Sequence, residues 1–305
     1  MLIIFTSHRV ELLPLLSRCI EDYKCLVLEE PETEELKQLL AGKMSAKEYA
    51  MWMDTPFPAY TEKLAEILLK IRKRKKVLAV EPYLQVIEGI HKAVEEGKYE
   101  EYVKDGVVKR VLEVERKATK ALLDYQEAFM SKDFDLIVEN TVRFARADAE
   151  RFVLRDRMRA ERIVEVVELS GAPDNEFAIE AGRIHFLLES FLRETLGKGS
   201  IGSLNLVEVA AREAGIKYVK NPGNELTEYY IKEIEGLNFK ERKDCELLAA
   251  QALVYITIVK KEEMLPTENC KYPHILDEVK AAKIARSLGY EGCRKFVERV
   301  WFREK

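Results

Sequence analysis

Residues 2–31, LIIFTSHRVELLPLLSRCIEDYKCLVLEEP, decide the fold class. The run from Leu2 to Thr6 is short, apolar and rich in β-branched residues, which predicts a buried strand. The segment from Val10 to Tyr23 then carries apolar side chains at helical spacing. A second apolar run, Cys25 to Leu28, stops shortly before Pro31, which cannot donate to a sheet. Strand, helix and strand in this order predict a β-α-β unit with parallel strands.

The rest of the chain extends this sheet and adds many helices. Two further apolar runs predict strands, Val77–Val80 before Pro82 and Phe177–Ile179 before Gly182. Helices are predicted at about 32–41, 45–53, 58–74 and 184–196. The sequence therefore predicts an α/β fold with a mostly parallel central sheet, a large helical insertion and a mainly helical C-terminal part.

The predicted organisation has two parts. Residues 1–199 form an α/β core that contains the helical insertion, at about 84–170, and residues 200–305 form a mainly helical region packed on the core. Within this second region the pattern predicts a strand at 216–219 and helices at about 203–214, 225–235, 241–263 and 275–300.

The composition indicates a globular protein and argues against nucleic acid and membranes as its partners. The formal net charge of the 305 residues is -4, so no overall field attracts nucleic acid or an anionic membrane. Five cysteines in no paired spacing and an N-terminus without signal-peptide features indicate a reduced, cytoplasmic protein. Charged residues make up 34% of the chain and glutamine is scarce, which indicates a thermophilic source.

One apolar segment is a candidate for a membrane anchor or for a contact between two copies of the chain. The run from Leu247 to Val259 is shorter than the roughly 20 residues that span a bilayer, so it predicts a buried helix and no membrane anchor. If this helix is not covered within one chain, its apolar surface predicts a homodimer.

Titratable side chains follow each of the four predicted core strands. His8 follows the first strand, Glu29 the second, Glu81 the third and His185 the fourth. Because ligands bind outside the carboxyl ends of parallel strands, we expect these side chains to face one cleft. The structural alternative is that the carboxylates cap the following helices and the histidines bond to loop carbonyls.

Two chemistries suit this set of residues. His8, Glu29 and His185 form a His₂Glu set, which could hold a divalent metal ion such as zinc, manganese or cobalt with an open position for water. Alternatively a histidine acts directly as the general base without any cofactor. The sequence leaves both open.

The same residues resemble the superfamily of Tiki proteases, TraB proteins, erythromycin esterases and ChaN-like haem-binding proteins, which share two G-x-x-H motifs. The resemblance covers about residues 1–196. The second motif is intact in Gly182–His185, whereas the first, Phe5–His8, keeps the histidine and has lost the glycine. A carboxylate at the end of the second strand, here Glu29, also belongs to the pattern.

A helical segment adds to this resemblance. Residues 155–161, RDRMRAE, are similar to the R-D-x-x-M-A-E-N helix of erythromycin esterases, although Arg159 replaces a small residue there. The resemblance implies that Arg155 holds a substrate carboxylate or stabilises an oxyanion. The alternative is a solvated salt-bridge face, because Arg155, Arg159 and Arg162 lie about one turn apart among acidic neighbours.

Taken together, these patterns predict a hydrolase of an ester or peptide bond acting on a small-molecule or peptide substrate. His8, Glu29 and His185 would bind a divalent metal or activate water directly. Arg155 would hold the substrate and Glu81 would assist. A binding or scaffold protein with a decayed site and a haem binder are the alternatives. A G-x-G-x-x-G match at 197–202 follows a helix rather than a strand, so it predicts a turn and no nucleotide site.

Overall fold

The computed structural model describes residues 1–196, 201–237 and 244–302. Its centre is a five-stranded sheet in which every pairing is parallel. The strands are Leu2–Thr6 (β1), Cys25–Leu28 (β2), Lys76–Ala79 (β3), Phe177–Gly182 (β4) and Gly202–Asn205 (β5). The predicted α/β fold, with its parallel sheet and mainly helical C-terminal part, is confirmed.

Fourteen α-helices are present among the described residues. In chain order, α1 to α14 span Leu13–Cys19, Glu34–Ala41, Ala46–Met53, Pro58–Ile71, Pro82–Glu95, Tyr99–Tyr102, Gly106–Ser131, Phe134–Ser170, Leu187–Leu196, Leu206–Glu213, Pro222–Ile234, Cys245–Ile258, Pro273–Arg286 and Tyr290–Trp301. Local sequence sets several boundaries. Ser45 and Glu48 form a capping box at the start of α3, and Gly42 ends α2 with a φ of 74°, which favours glycine.

The strand order is β3-β2-β4-β1-β5, so β4 lies between the first two strands of the chain. Leu2 of β1 pairs with Ala178 of β4, and Cys25 of β2 pairs with Phe177. The strands β2, β4 and β1 are central and almost fully buried, as their continuous apolar sequences require, whereas β3 and β5 are partly exposed edges. All five carboxyl ends lie along one edge of the sheet.

The chain divides into two compact units that each combine distant segments. The first unit, which contains the sheet, comprises Met1–Glu88, Arg155–Tyr218 and Lys261–Leu276. The second comprises Gly89–Leu154, Val219–Lys260 and Asp277–Lys305. The helix α8 contributes residues to both units, and its part from Arg155 onwards belongs to the sheet unit.

The second unit is helical in its described part. Within it, α12 is buried from Leu248 to Tyr255 and packs against α11 and α14. The apolar run from Leu247 to Val259 is therefore a buried helix, as predicted. Because it is covered inside this unit, it does not supply the apolar surface on which the homodimer prediction depended. No helix in the described ranges is long and apolar enough to cross a membrane.

The predictions for the C-terminal region need two corrections. The strand predicted at 216–219 is irregular, and the fifth strand is Gly202–Asn205, where the pattern predicted the start of a helix. This short polar segment is a strand because the open side of β1 pairs with it from Leu2 onwards, an interaction that local sequence does not encode. The Asn205 side chain accepts from the main-chain N–H groups of Val207 and Glu208, so the helix starts only at residue 206.

Two other predicted helices are shorter than expected. The helix predicted at 275–300 is two helices, α13 and α14, separated at residues 287–289. Within the described residues the helix predicted at 241–263 is α12, which ends at Ile258, and residues 241–243 of the prediction lie outside them. The first four residues of the G-x-G-x-x-G match, 197–200, lie outside the described residues.

Candidate functional site

The functional side chains lie at the ends of four adjacent strands of the sheet unit. Glu29 follows β2 directly, and Glu81 follows β3 by two residues. His8 follows β1, and His185 follows β4. Since these strands are consecutive in the order β3-β2-β4-β1, the four side chains are placed along one edge.

Glu29 is the centre of this cluster and its carboxylate has four partners. Its Oε1 lies 2.9 Å from His185 Nε2 and 3.3 Å from Arg155 Nη2. Its Oε2 accepts the main-chain N–H of Gly182 at 2.6 Å and lies 3.4 Å from Arg159 Nη1. An ionised carboxylate offers about four lone-pair positions, so the carboxylate is fully used by protein donors.

His185 is held between two carboxylates. Its Nδ1 lies 2.5 Å from Asp156 Oδ1, and its Nε2 faces Glu29. Burial lowers the pKa of His185, but the charges of Glu29 and Asp156 outweigh burial and raise this pKa to about 9. Burial raises the pKa of Glu29, but His185, Arg159 and Arg155 outweigh it and hold this pKa well below its usual range. His185 is thus an imidazolium beside an ionised Glu29.

Arg155 links Glu29 to Glu81. Its Nη2 donates to Glu29 Oε1 at 3.3 Å and to Glu81 Oε2 at 3.2 Å, and its guanidinium lies 5.9 Å from the Tyr83 ring centroid. Within the described residues, Arg155 Nε and Glu81 Oε1 are buried without a hydrogen-bond partner. The alternative for Arg155 was a solvated salt-bridge face among its helix neighbours, whereas its ion pairs are with the distant Glu29 and Glu81 and are buried in the site.

Arg159 is almost completely buried and joins three strand ends. Its Nε donates to Val80 O at 2.9 Å, next to β3, and its Nη2 donates to Glu180 O at 2.6 Å, in β4. Its Nη1 faces Glu29, at the end of β2. No role in the site was predicted for Arg159, although its spacing of four residues from Arg155 places both on one helix face.

His8 forms the solvent-facing part of the cluster, with 45% of its side chain exposed. Its Nε2 lies 3.4 Å from Glu180 Oε1, and its ring centroid lies 5.5 Å from that of Tyr60. The other oxygen of Glu180 accepts the main-chain N–H of Glu29 at 3.0 Å, which connects His8 to the buried cluster. Burial lowers the pKa of His8, but the hydrogen bond and charge of Glu180, helped by Glu29, raise it above its ordinary value.

Glu30 is a further titratable group that the sequence did not single out. Burial is the largest cause of its raised pKa, and the neighbouring charges of Glu180 and Glu29 act in the same direction. Together they outweigh His8 and bring the pKa of Glu30 to about 7. Burial and the same carboxylates also raise the pKa of Tyr60 well above its usual range, so its hydroxyl is protonated.

The three predicted metal ligands do not fit a metal ion. Glu29 uses its lone pairs on protein donors, both ring nitrogens of His185 face carboxylates, and His8 faces Glu180 rather than Glu29. Among the residues that the structure describes, no group of three or more His, Cys, Asp or Glu side chains could hold a metal ion.

The chain is similar to a protein from Archaeoglobus fulgidus that is described as an uncharacterized protein. The two are 35% identical over 301 residues, which cover 99% of each chain. No family model matches the chain, and no solved structure is significantly similar to it.

Proposed function

The chain belongs to one family with this archaeal protein, and we propose that it is a hydrolase of the TraB, Tiki and erythromycin esterase type. Its substrate is a small molecule or peptide with an ester or amide bond. The observation that carries the proposal is the meeting of His8 and Glu180 with the Glu29–His185–Asp156 cluster at one sheet edge. Paired acids and bases with displaced pKa values are typical of catalytic sites.

Glu30 and His8 are suited to the proton transfers. A general base works best with a pKa near the working pH, and the pKa of Glu30 is about 7. Water attacks the carbonyl carbon while its proton passes to the Glu30 carboxylate. The bond to the leaving group then breaks, and the leaving atom takes a proton from the His8 imidazolium. Exchange with solvent returns both groups to their starting states.

Arg155 is suited to hold the substrate. Its side chain is 16% exposed and its Nη2 is held between Glu29 and Glu81, so its guanidinium is preorganised. A substrate carboxylate or a developing oxyanion would be held by this partly exposed guanidinium. Glu81 acts through Arg155.

His185 is not suited to act as the general base, the role that the sequence left open for a histidine. It is 2% exposed and both ring nitrogens face carboxylates, so it has no free nitrogen with which to accept a proton from water. Its charge instead stabilises the ionised form of Glu29.

A binding protein without turnover is the second candidate. The enclosure of His185 and the loss of the first-motif glycine, at Phe5, favour it. Haem binding is less well supported, because His8, the exposed histidine of this site, directs its Nε2 at Glu180.

Hydrolysis of ester and peptide panels by wild type and variants separates these candidates. We expect His8→Ala and Glu30→Gln to lower kcat at least 100-fold, the order of magnitude that a general acid or base contributes. The matched controls are His91→Ala and Glu32→Gln, which change exposed residues. A wild-type protein that hydrolyses no member of either panel would contradict the proposal, and a haem absorption band in the purified protein would favour the haem binder.

A further inference from the structure

The Glu29 cluster contains two guanidinium groups where the sequence predicted a metal ion. We propose that Arg159, together with Arg155, is the resident cation of this site, in the place that a divalent ion would take, and that Arg159 positions Glu29 by joining three strand ends. The inference rests on the proposed function, because it concerns the same site, but its test needs no turnover.

The first support is geometric. Arg159 is 1% exposed, and its three nitrogens face three different strand ends in the order β3, β2 and β4. The contacts are to Val80 O at 2.9 Å, Glu29 Oε2 at 3.4 Å and Glu180 O at 2.6 Å. The rigid fork of a guanidinium suits several acceptors at fixed directions, and a lysine ammonium on its flexible stem does not.

The second support is that both carboxylate oxygens of Glu29 already have donors within the protein. Each oxygen faces one arginine and one further donor, which is His185 for Oε1 and the Gly182 N–H for Oε2. A metal ion bound to Glu29 would have to displace at least one of these partners. Displacing Arg159 would also leave the main-chain oxygens of Val80 and Glu180 without this donor.

The third support is the balance of charge. The three carboxylates of Glu29, Glu81 and Asp156 lie among three cationic groups, those of Arg155, Arg159 and His185. A further buried carboxylate, Glu180, faces the His8 imidazole. Buried charges are tolerated when they are paired, and each of these carboxylates has a cationic partner within the chain. A divalent ion would add two positive charges to a neutral buried cluster.

Metal uptake is the first measurement. Wild-type protein is dialysed separately against MnCl₂, CoCl₂ and ZnCl₂ and then against metal-free buffer, and the retained metal is counted by atomic emission. We expect no retained ion that depends on Glu29 or His185, and no change in Tm on adding a chelator. One equivalent of retained ion in wild type, lost in both Glu29→Gln and His185→Ala, would overturn the proposal.

Chemical rescue is the second measurement. Arg159→Ala should lower Tm, and millimolar guanidinium chloride should restore at least half of the loss, whereas equimolar NaCl should not. The matched control is Arg162→Ala, one turn along the same helix, where the exposed arginine pairs only with Glu165 among the described contacts. Equal effects of guanidinium on both variants would contradict the role of Arg159.

A third variant keeps the test decisive if Arg159→Ala does not fold. Arg159→Lys retains the charge but cannot face three acceptors, so we expect a lower Tm than wild type and still no metal uptake. If Arg159→Lys is as stable as wild type, the directional contacts are unimportant and the proposal is wrong.

Discussion

The main-chain N–H of Gly182 donates to Glu29 Oε2 at 2.6 Å, and this contact explains the glycine of the intact G-x-x-H motif. A Cβ on Gly182 would lie 3.3 Å from the same oxygen and 3.4 Å from Cδ2 of His185. The glycine is required for close approach rather than for a left-handed backbone, since its φ is not in the positive range. Its missing side chain lets the carboxylate and the imidazole meet.

Gly182→Ala should therefore destabilise the protein by about 1–3 kcal/mol, the usual cost of overpacking a tight site. The neighbours have little freedom to move, because the other partners of Glu29 hold it in place. Denaturant unfolding measures the effect, with Gly106→Ala as the control, since nothing lies within 4 Å of a Cβ there. An unchanged unfolding midpoint for Gly182→Ala would show that Glu29 can shift freely.

Much of this site could be predicted because parallel strands bring their carboxyl ends to one edge. The sequence located four of the five strands, and with them His8, Glu29, Glu81 and His185. The strand β5 could not be located, since Gly202–Asn205 is a strand through its pairing with β1 rather than through its own apolar pattern.

The remaining site residues show what single-sequence patterns miss. Glu180 directly follows the predicted strand Phe177–Ile179, and the structure buries it within β4. A charged residue is rarely buried unless it is paired, but the sequence pattern does not show which partner it has. Asp156 and Arg159 stood in the helix that was compared with erythromycin esterases, but their partners are 21 to 130 residues away in sequence. No local pattern specifies such contacts.

Arg155→Lys should lower kcat at least tenfold while leaving the buried cluster assembled. Lysine keeps the positive charge but loses the planar guanidinium, whose Nη2 bridges Glu29 and Glu81 and which is proposed to hold the substrate. The stability loss should be modest, about 1–2 kcal/mol, because one charge-assisted bond remains possible. Kinetics and unfolding of this variant are compared with those of Arg162→Lys, an exposed change on the same helix. Full activity in Arg155→Lys would leave Arg155 with a purely structural role.

Asp156→Asn should make stability less dependent on pH above neutrality. The pKa of His185 is raised from 6.5 to about 9, so its contribution to stability is complete below pH 6.5 and is lost as pH rises through 9. Removing the Asp156 charge reduces that shift. The free energy of unfolding of the variant should therefore be about 1–3 kcal/mol below that of wild type near pH 6. Above pH 9 the two values should become similar.

The measurement for Asp156→Asn is denaturant unfolding at several pH values, together with nuclear magnetic resonance of the His185 ring nitrogens. Asp124→Asn is the control, because that aspartate pairs with Lys120 on a part-exposed helix face. A constant difference between Asp156→Asn and wild type across this range would contradict the charge effect.

Glu30→Gln should increase stability and lower kcat at least 100-fold in the same variant. The pKa of Glu30 is raised from 4.5 to about 7, so the folded state favours the protonated form of this carboxyl group. The sign follows from proton binding: between pH 4.5 and 7 the folded state holds more protons than the unfolded state, so wild type loses stability as pH rises through this window. Glutamine stays neutral and avoids this loss.

Above pH 7 the Glu30→Gln variant should be more stable than wild type by about 1–2 kcal/mol, a value reduced for the partial solvent exposure of this side chain. Near pH 4.5 the two proteins should be equally stable. Wild-type kcat should rise as pH passes 7, since the proposed base must be ionised to accept a proton from water, and the variant should lack this rise. Glu32→Gln, two residues away and exposed, should change neither property. Replacing a carboxylate with a purely structural role would destabilise the protein. A Glu30→Gln variant that is less stable than wild type but has normal turnover would therefore remove Glu30 from the mechanism.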